Sequence, residues 1–143
     1  MLHITAPFSI TAWEPADEAS SWPASTGSAS AGPAFGRVTI RKTYSGRLDG
    51  EGVVVMLTCL ADPADPARGA VYTALEQFTG RLDGREGTFA FQHGAVSGGA
   101  QDADPTGVVV PNSGTGALAG IAGTVGIAQG PDDHTLTLNV ELP

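Results

Sequence analysis

The sequence contains few cysteines, few basic residues and few aromatic side chains. Its 143 residues include one cysteine, Cys59, and three histidines. An internal disulfide is therefore impossible, and no zinc-ligand spacing is present. Seven basic residues against fifteen acidic ones give a net charge of -8, which argues against a nucleic-acid-binding surface.

Long hydrophobic segments are also missing from the sequence. No apolar stretch reaches about 20 residues, and the N-terminus lacks the basic and apolar regions of a signal peptide. A length of 143 residues favours a single domain spanning residues 1–143. We therefore expect a cytoplasmic protein that contacts neither nucleic acid nor a membrane.

Glycine and proline are abundant, and the apolar residues alternate with polar ones. The sequence has 20 glycines and 10 prolines but only 15% charged residues, which is typical of turns and short strands. Period-two patterning predicts eight strands and no convincing helix, hence an antiparallel barrel or sandwich. The predicted strands cover residues 2–13, 35–44, 52–60, 71–82, 88–96, 108–110, 118–128 and 135–142.

One segment shows no periodicity. Residues at about 14–34 are rich in serine, alanine, glycine and proline. Such a composition, over a length unusual for a loop in a compact domain, predicts a mobile loop or a lid.

A hexapeptide repeat is the strongest internal signal. The pattern Ser/Thr-Gly-x-Leu-x-Gly begins at Ser45, Thr79 and Thr115. The first two copies end in Asp-Gly, which favours the type I′ turn of a β-hairpin. We therefore predict three similar hairpins in a closed eight-stranded antiparallel β-barrel, because closure removes exposed strand edges.

The turn at Asp83-Gly84 sets a definite register. It would pair Leu82 with Arg85 and place Glu76 and His93 on one face as diagonal neighbours, within reach of long side chains. A change of register by one residue would move every one of these side chains to the other face.

The equivalent turn at Asp49-Gly50 sets the register of the third strand. It would pair Tyr44 with Val55 and direct the odd-numbered residues of 53–59 inward. Val54 and Met56 would then lie on an apolar outer wall. An outer wall of this kind indicates self-association or a covering loop, and self-association is the simpler explanation, so we expect a homo-oligomer.

The predicted interior face carries polar side chains among aromatic ones. Superposing the repeats makes Lys42, Glu76 and Asn112 equivalent, and His93 is the one histidine placed among aromatic residues. Either Lys42 and Glu76 form a structural ion pair in a packed barrel, or the polar set lines a pocket for a small apolar ligand. The predicted ligand-binding residues are Lys42, Tyr44, Tyr72, Glu76, Phe78, Phe89, Phe91, His93 and Asn112.

Two other motifs do not support a cofactor or a nucleophile. Gly114 to Gly120 has glycines spaced one residue too widely for a dinucleotide-binding loop, and a strand follows instead of a helix. Ser113 lacks the glycine two residues earlier that a nucleophile elbow requires. We therefore predict no cofactor and no metal.

Several motifs together resemble the bacterial domain-of-unknown-function family 3224 over nearly the whole chain. They are Trp13-Glu14-Pro15, Tyr44-x-Gly46-x-Leu48-x-Gly50, Glu76-x-x-x-Gly80-x-Leu82-x-Gly84-Arg85-x-Gly87-x-Phe89, Gln92-His93-Gly94 and Val110-Pro111-Asn112-Ser113-Gly114-Thr115-Gly116-x-Leu118-x-Gly120. The resemblance implies a barrel like those of allene oxide cyclase and dirigent proteins, commonly oligomeric, with a cavity in the related enzymes. It supplies no reaction, and the segment between Glu14 and Phe35 is lengthened here.

Three functions remain open from the sequence. The first is a barrel that binds a small apolar ligand without chemistry. The second is a cyclase or isomerase in which the candidate catalytic residues, Glu76 and His93, move a proton or stabilise a developing cation. The third is a non-catalytic structural barrel that assembles through its outer wall.

Overall fold

The computed structural model describes residues 1–16, 33–98, 103–129 and 134–143. Eight antiparallel strands form a closed ring in which each strand pairs with the next in sequence and the last pairs with the first. The eight-stranded antiparallel prediction is therefore confirmed. The strands are β1 (Leu2–Pro15), β2 (Ala34–Tyr44), β3 (Leu48–Leu60), β4 (Ala70–Leu82), β5 (Arg85–Ser97), β6 (Thr106–Val109), β7 (Ala122–Gln129) and β8 (His134–Glu141).

The connections that the structure describes contain little regular structure. Among these residues, two short 3₁₀ helices, Pro66–Arg68 and Gly116–Leu118, lie between strands. Over the described ranges, no helix has the length and hydrophobicity needed to cross a membrane. Of the predicted loop at about 14–34, Glu14 and Pro15 belong to β1 and Ala34 belongs to β2, while residues 17–32 lie outside the described residues.

The hairpin at Asp83-Gly84 forms as predicted. Leu82 pairs with Arg85 across the turn, and the register continues to the far end of β4 and β5. Asp83 and Gly84 have φ values of 50° and 79°. Positive φ at both central residues is what a type I′ turn requires, and its twist matches the strands it joins.

The predicted register of β2 against β3 is wrong. Tyr44 pairs with Gly50 and not with Val55, because the turn lies at Gly46, which has a φ of 90°. The displacement is an odd number of residues, so the two faces of β3 exchange. Val54 and Met56 are buried inside the ring, and the odd-numbered residues predicted to face inward lie on the outside or at the rim.

A close approach between strands explains this register. Gly50 lies opposite Gly80 in the β3–β4 pair, and a Cβ on Gly50 would come within 2.8 Å of the Gly80 Cα. The Asp49-Gly50 dipeptide therefore lies inside a strand and provides space there. The dipeptide that predicted a turn is instead a position where the backbones of two strands pack closely.

The hexapeptide repeat does not specify three similar hairpins. The first two copies pair with each other across β3 and β4, with Leu48 opposite Leu82. In the third copy, Gly116–Leu118 forms a 3₁₀ helix. What the copies share is a fully buried leucine, since Leu48, Leu82 and Leu118 are all 0% exposed.

Two apolar clusters fill the interior at different ends of the ring. The larger one lies toward the turns at the ends of β2 and β4, where its aromatic rings are packed in succession. The smaller cluster lies toward the opposite end. It consists of Val38, Ile40, Val54, Met56 and Ala74, with Tyr72 packed against it.

The outer wall of β3 to β6 exposes apolar side chains. Val55 lies opposite Leu75 on the neighbouring strand, and Val108 on β6 is also exposed. Leu75 is the most exposed of these, at 61%. Assembly of several copies through this wall stays a prediction.

Candidate functional site

A buried carboxylate lies at the centre of the site. Strand alternation in β4 directs Glu76 into the ring, where it is 1% exposed. Its Oε1 accepts hydrogen bonds from Lys42 Nζ and from His93 Nε2, each at 3.0 Å. Its Oε2 accepts a short hydrogen bond from the Tyr44 hydroxyl. Three strands, β2, β4 and β5, therefore supply one connected polar cluster.

Gly52 makes room for this cluster. It faces inward on β3, and a Cβ at this position would overlap the Glu76 carboxylate and lie 3.0 Å from Tyr44 Cε2. Sequence analysis did not single out Gly52. The available signal was a glycine inside a strand pattern, which often marks the close approach of another group.

The hydrogen bonds of His93 define its tautomer. An ionised carboxylate can only accept, so Nε2 carries a proton and donates it to Glu76. Nδ1 lies 3.0 Å from the Tyr72 hydroxyl. In the neutral imidazole, Nδ1 is the acceptor and Tyr72 donates to it. The Tyr72, His93 and Glu76 side chains thus form one continuous hydrogen-bonded chain.

The pKa values of the site follow from burial and from these contacts. Burial alone would raise the pKa of Glu76, but the hydrogen bond from His93, the charge of Lys42 and the hydrogen bond from Tyr44 together hold it below its usual range. Burial, followed by the Glu76 charge, raises the pKa of Tyr44 and raises that of Tyr72 to about 12. Glu76 is thus ionised and both tyrosines are protonated at neutral pH.

Lys42 balances the charge of Glu76. Its side chain is 5% exposed, and its ammonium group lies 4.3 Å from the centre of the Phe8 ring. The aromatic face contributes a cation–π interaction in addition to the ion pair. A buried ion pair is tolerated only when its partners satisfy the remaining hydrogen-bonding groups. The predicted structural ion pair between Lys42 and Glu76 is therefore present.

A cavity of about 500 Å³ lies directly above this cluster. Lys42, Tyr72 and His93 form its polar floor. Its wall is mainly aliphatic and includes the last residues of β3 and β5, and the exposed ring of Trp13 marks its mouth. The lining residues outside the floor are Phe8, Ile10, Trp13, Ile40, Val54, Met56, Thr58, Cys59, Leu60, Ala70, Val71, Ala95, Val96, Ser97, Ala103, Asp104, Pro105 and Ile127.

Comparison with known proteins places the chain in a family. The family model described as "Protein of unknown function (DUF3224)" matches residues 4–140. The chain belongs to the DUF3224 family. The ring is also similar to the crystal structure of a DUF3224-family protein of unknown function from Shewanella oneidensis MR-1. The TM-score is 0.80 at 27% identity, covering 100% of this chain and 98% of that one. No curated protein matches the sequence.

The predicted site residues of this DUF3224 protein fall into three groups. Lys42, Tyr72 and His93 line the cavity. Glu76 and Tyr44 do not line the cavity, although Glu76 accepts hydrogen bonds from two residues of its floor. The remaining aromatic residues, Phe78, Phe89 and Phe91, belong to the larger packed cluster and do not line the cavity, so they are not the ligand-facing wall that the sequence suggested.

Asn112 does not join the site. It is exposed, with a φ of 64°, in the turn that follows β6. Strand β6 ends at Val109, so the position equivalent to Lys42 and Glu76 in the repeat lies beyond the strand. Asn112 therefore serves the turn, since asparagine tolerates the left-handed conformation.

Sequence analysis missed part of the cavity wall for two identifiable reasons. Val54 and Met56 were assigned to the outside because of the register error in β3. Strand β1 has an irregularity between Ile10 and Ala12, which brings both Ile10 and Trp13 to the cavity despite their opposite parity. A bulge of this kind breaks the period of two and leaves no mark in the hydrophobic pattern.

Proposed function

We propose that this DUF3224 protein binds a small, mostly apolar molecule in the cavity. The observation that carries this proposal is a space of about 500 Å³ with an aliphatic wall and a floor of three polar side chains. Small-molecule sites occupy about 300–1,000 Å³ and combine apolar walls with a few placed polar groups. The cavity has this size and this division of chemistry.

The arrangement of the lining favours one orientation of the molecule. The polar groups Lys42, Tyr72 and His93 lie together at the floor, and the wall above them is largely apolar. A polar head at the floor can form hydrogen bonds, and an apolar tail directed toward Trp13 is removed from water. Each Å² of apolar surface removed from water contributes about 25 cal/mol.

We further propose that the ring is a barrel of the allene-oxide-cyclase type. Eight strands paired in sequence order around an interior cavity support this assignment. Glu76 is surrounded by three donors and does not line the cavity, so its part is to position His93 and Lys42.

A cyclase or isomerase is the second candidate, and the hydrogen-bonded chain from Tyr72 to Glu76 favours it. His93 lines the cavity and is oriented by a carboxylate, which is the arrangement that a general base needs. Conversion of a bound molecule, lost in His93→Gln with binding retained, would distinguish this function from binding alone.

Filling the cavity should abolish binding. Ala95 lines the cavity on β5, and Ala95→Phe would place a ring in the space that the ligand needs. The affinity for the neutral fluorescent probe N-phenyl-1-naphthylamine should fall at least about tenfold, the equivalent of roughly 1.4 kcal/mol. Titration of probe fluorescence measures the affinity.

The matched control carries the same ring on the other face of the sheet. Thr73 is exposed on β4, so Thr73→Phe leaves the cavity unchanged and should bind the probe as the unmodified protein does. Equal affinity in all three proteins would show that the probe binds elsewhere and would overturn the proposal.

A further inference from the structure

We infer that the molecule bound in the cavity is uncharged and that its polar head is a hydroxyl or carbonyl oxygen. The inference rests on the proposed function, because it names the chemical class of the molecule that the cavity holds. It follows from the charges around the cavity and from the hydrogen-bonding groups of its floor.

The positive charge at the floor is already neutralised by the protein. Lys42 Nζ lies 3.0 Å from Glu76 Oε1, and the two side chains are 5% and 0% exposed. An anion at the floor could pair with Lys42 only by sharing the ammonium with Glu76. Two negative charges would then lie beside one positive charge in a largely apolar space. A buried charge without its own counter-ion is strongly unfavourable, so the floor disfavours an acid.

A second carboxylate belongs to the cavity lining. Asp104 is exposed and lies just before β6. A backbone hydrogen bond holds this segment in place, since the Ile127 N–H donates to the carbonyl oxygen of Pro105 at 2.9 Å. The Asp104 carboxylate adds a negative charge to the balanced pair of Lys42 and Glu76. An anionic ligand would therefore enter a cavity with one negative charge in excess.

This conclusion does not depend on the protonation of His93. Its hydrogen bonds with Glu76 and Tyr72 fit the neutral ring and the protonated ring alike. With a neutral ring, the charges of Lys42, Glu76 and Asp104 leave one negative charge in excess. With a protonated ring, the sum is zero. In neither state does the cavity offer a net positive charge to an acid.

A cationic head is unfavourable at the floor for a different reason. It would lie beside the Lys42 ammonium, while Glu76, the counter-ion of that ammonium, does not line the cavity. An amine could instead pair with Asp104, but an ion pair that is open to solvent contributes little. The apolar tail of such an amine would then face the polar floor.

An uncharged oxygen can use the floor as it stands. The Lys42 ammonium has three N–H groups, and Glu76 is the one acceptor that the described residues provide for it. A hydroxyl or carbonyl oxygen can accept from another of these N–H groups. The Tyr72 oxygen can also accept from an alcohol while Tyr72 keeps its contact with His93. Burial of a neutral, hydrogen-bonded head is far less unfavourable than burial of an ion.

The test compares four molecules that share a ten-carbon chain, namely decanol, 2-decanone, decanoate and decylamine. Each displaces N-phenyl-1-naphthylamine from the unmodified full chain at about pH 8, where decanoate is ionised and decylamine is protonated. We expect decanol and 2-decanone to have similar affinities, each at least about tenfold higher than that of decanoate or decylamine. The common chain length separates the chemistry of the head from the burial of the tail.

Glu76→Gln should change the selectivity in favour of the acid. The substitution leaves the Lys42 ammonium without its counter-ion, so the carboxylate of decanoate can take that place. The affinity for decanoate should rise at least about tenfold, while the affinity for decanol should change less than about threefold. A general loosening of the structure would not strengthen the binding of an anion alone, so this readout separates charge from stability.

The matched control removes a carboxylate far from the cavity. Asp49 is exposed near the start of β3 and does not line the cavity, whose β3 residues lie toward the other end of the strand. Asp49→Asn makes the same change in net charge as Glu76→Gln. It should leave the affinity for decanoate within about twofold of that of the unmodified protein.

The outcomes for the inference and for the proposed function are distinct. Decanoate or decylamine binding as tightly as decanol, or no displacement by any of the four molecules, would overturn the inference while leaving the cavity as a binding site. Unchanged decanoate affinity in a folded Glu76→Gln would also overturn it. Equal probe binding by Ala95→Phe and the unmodified protein would instead contradict the proposed function. Displacement from the unmodified chain decides the inference even if Glu76→Gln fails to fold.

Discussion

Glu76→Gln should lower the free energy of unfolding by about 3–5 kcal/mol, because it leaves the Lys42 ammonium buried without an opposite charge. The carboxylate is 1% exposed, so water cannot replace it as a partner. It also accepts the hydrogen bonds of Tyr44 and His93, which the amide satisfies less well. Urea unfolding followed by circular dichroism measures the loss.

Two controls separate the charge from other effects of the substitution. The double variant with Lys42→Met and Glu76→Gln has neither charge, and it should recover more than half of the lost stability. A double-mutant cycle measures this coupling between the two side chains. Asp83→Asn removes the exposed ion pair with Arg47 and should change the stability far less, since solvent screens that pair. A loss below about 1 kcal/mol for Glu76→Gln would mean that the ion pair is not sealed from water.

The protein should lose stability steeply above about pH 10, where tyrosine ordinarily ionises. Tyr44 and Tyr72, the only tyrosines in the sequence, keep their protons in the folded protein because burial and the Glu76 charge raise both pKa values. The unfolded chain releases these protons first. Their contribution is therefore complete below pH 10 and is lost as the pH rises through the folded-state pKa values.

The size of the alkaline effect differs between the two tyrosines. Tyr44 is almost fully buried, so it should contribute about 1.4 kcal/mol per pH unit, the value for one proton. Tyr72 is half-buried and ionises at about 12, so solvent screening makes its share smaller.

Urea unfolding at intervals between about pH 9 and pH 12 gives the slope. Tyr44→Phe should reduce that slope by more than Tyr72→Phe does, whatever each substitution does to the stability at neutral pH. An equal slope in Tyr44→Phe and the unmodified protein would contradict the burial of the Tyr44 hydroxyl against Glu76.

The sequence was a good guide wherever one strand and its own turn determine the structure. Alternation placed Lys42, Tyr44, Glu76 and His93 on the inward faces, and the Asp83-Gly84 turn fixed the register between the strands of Glu76 and His93. These are local properties, since period-two patterning and positive φ depend on neighbouring residues.

Features that depend on a distant partner could not be predicted in the same way. Whether Asp49-Gly50 forms a turn or a close strand pairing is decided by Gly80, some thirty residues later in the chain. The resulting exchange of faces in β3 hid Val54 and Met56 from the predicted interior. The irregularity in β1 likewise depends on its pairing with β2.

The sequence also could not predict how the interior divides into a packed core and a cavity. Phe78 and His93 share one face, yet Phe78 is packed in the core and His93 lines the cavity. Which part of a closed ring stays empty depends on the volumes of all the side chains that point inward, as well as on their alternation. The sequence therefore indicated the polar cluster but not its position at the floor of a cavity.

A crystal structure with 11-bromo-1-undecanol tests most directly whether the polar cluster is the floor of a ligand site. The bromine marks the end of the tail by anomalous scattering. We predict the alcohol oxygen at about 3 Å from Lys42 Nζ or the Tyr72 hydroxyl and the bromine toward Trp13 at the mouth. A cavity without the molecule, or a molecule with its bromine at the floor and its alcohol oxygen at the mouth, would contradict this account.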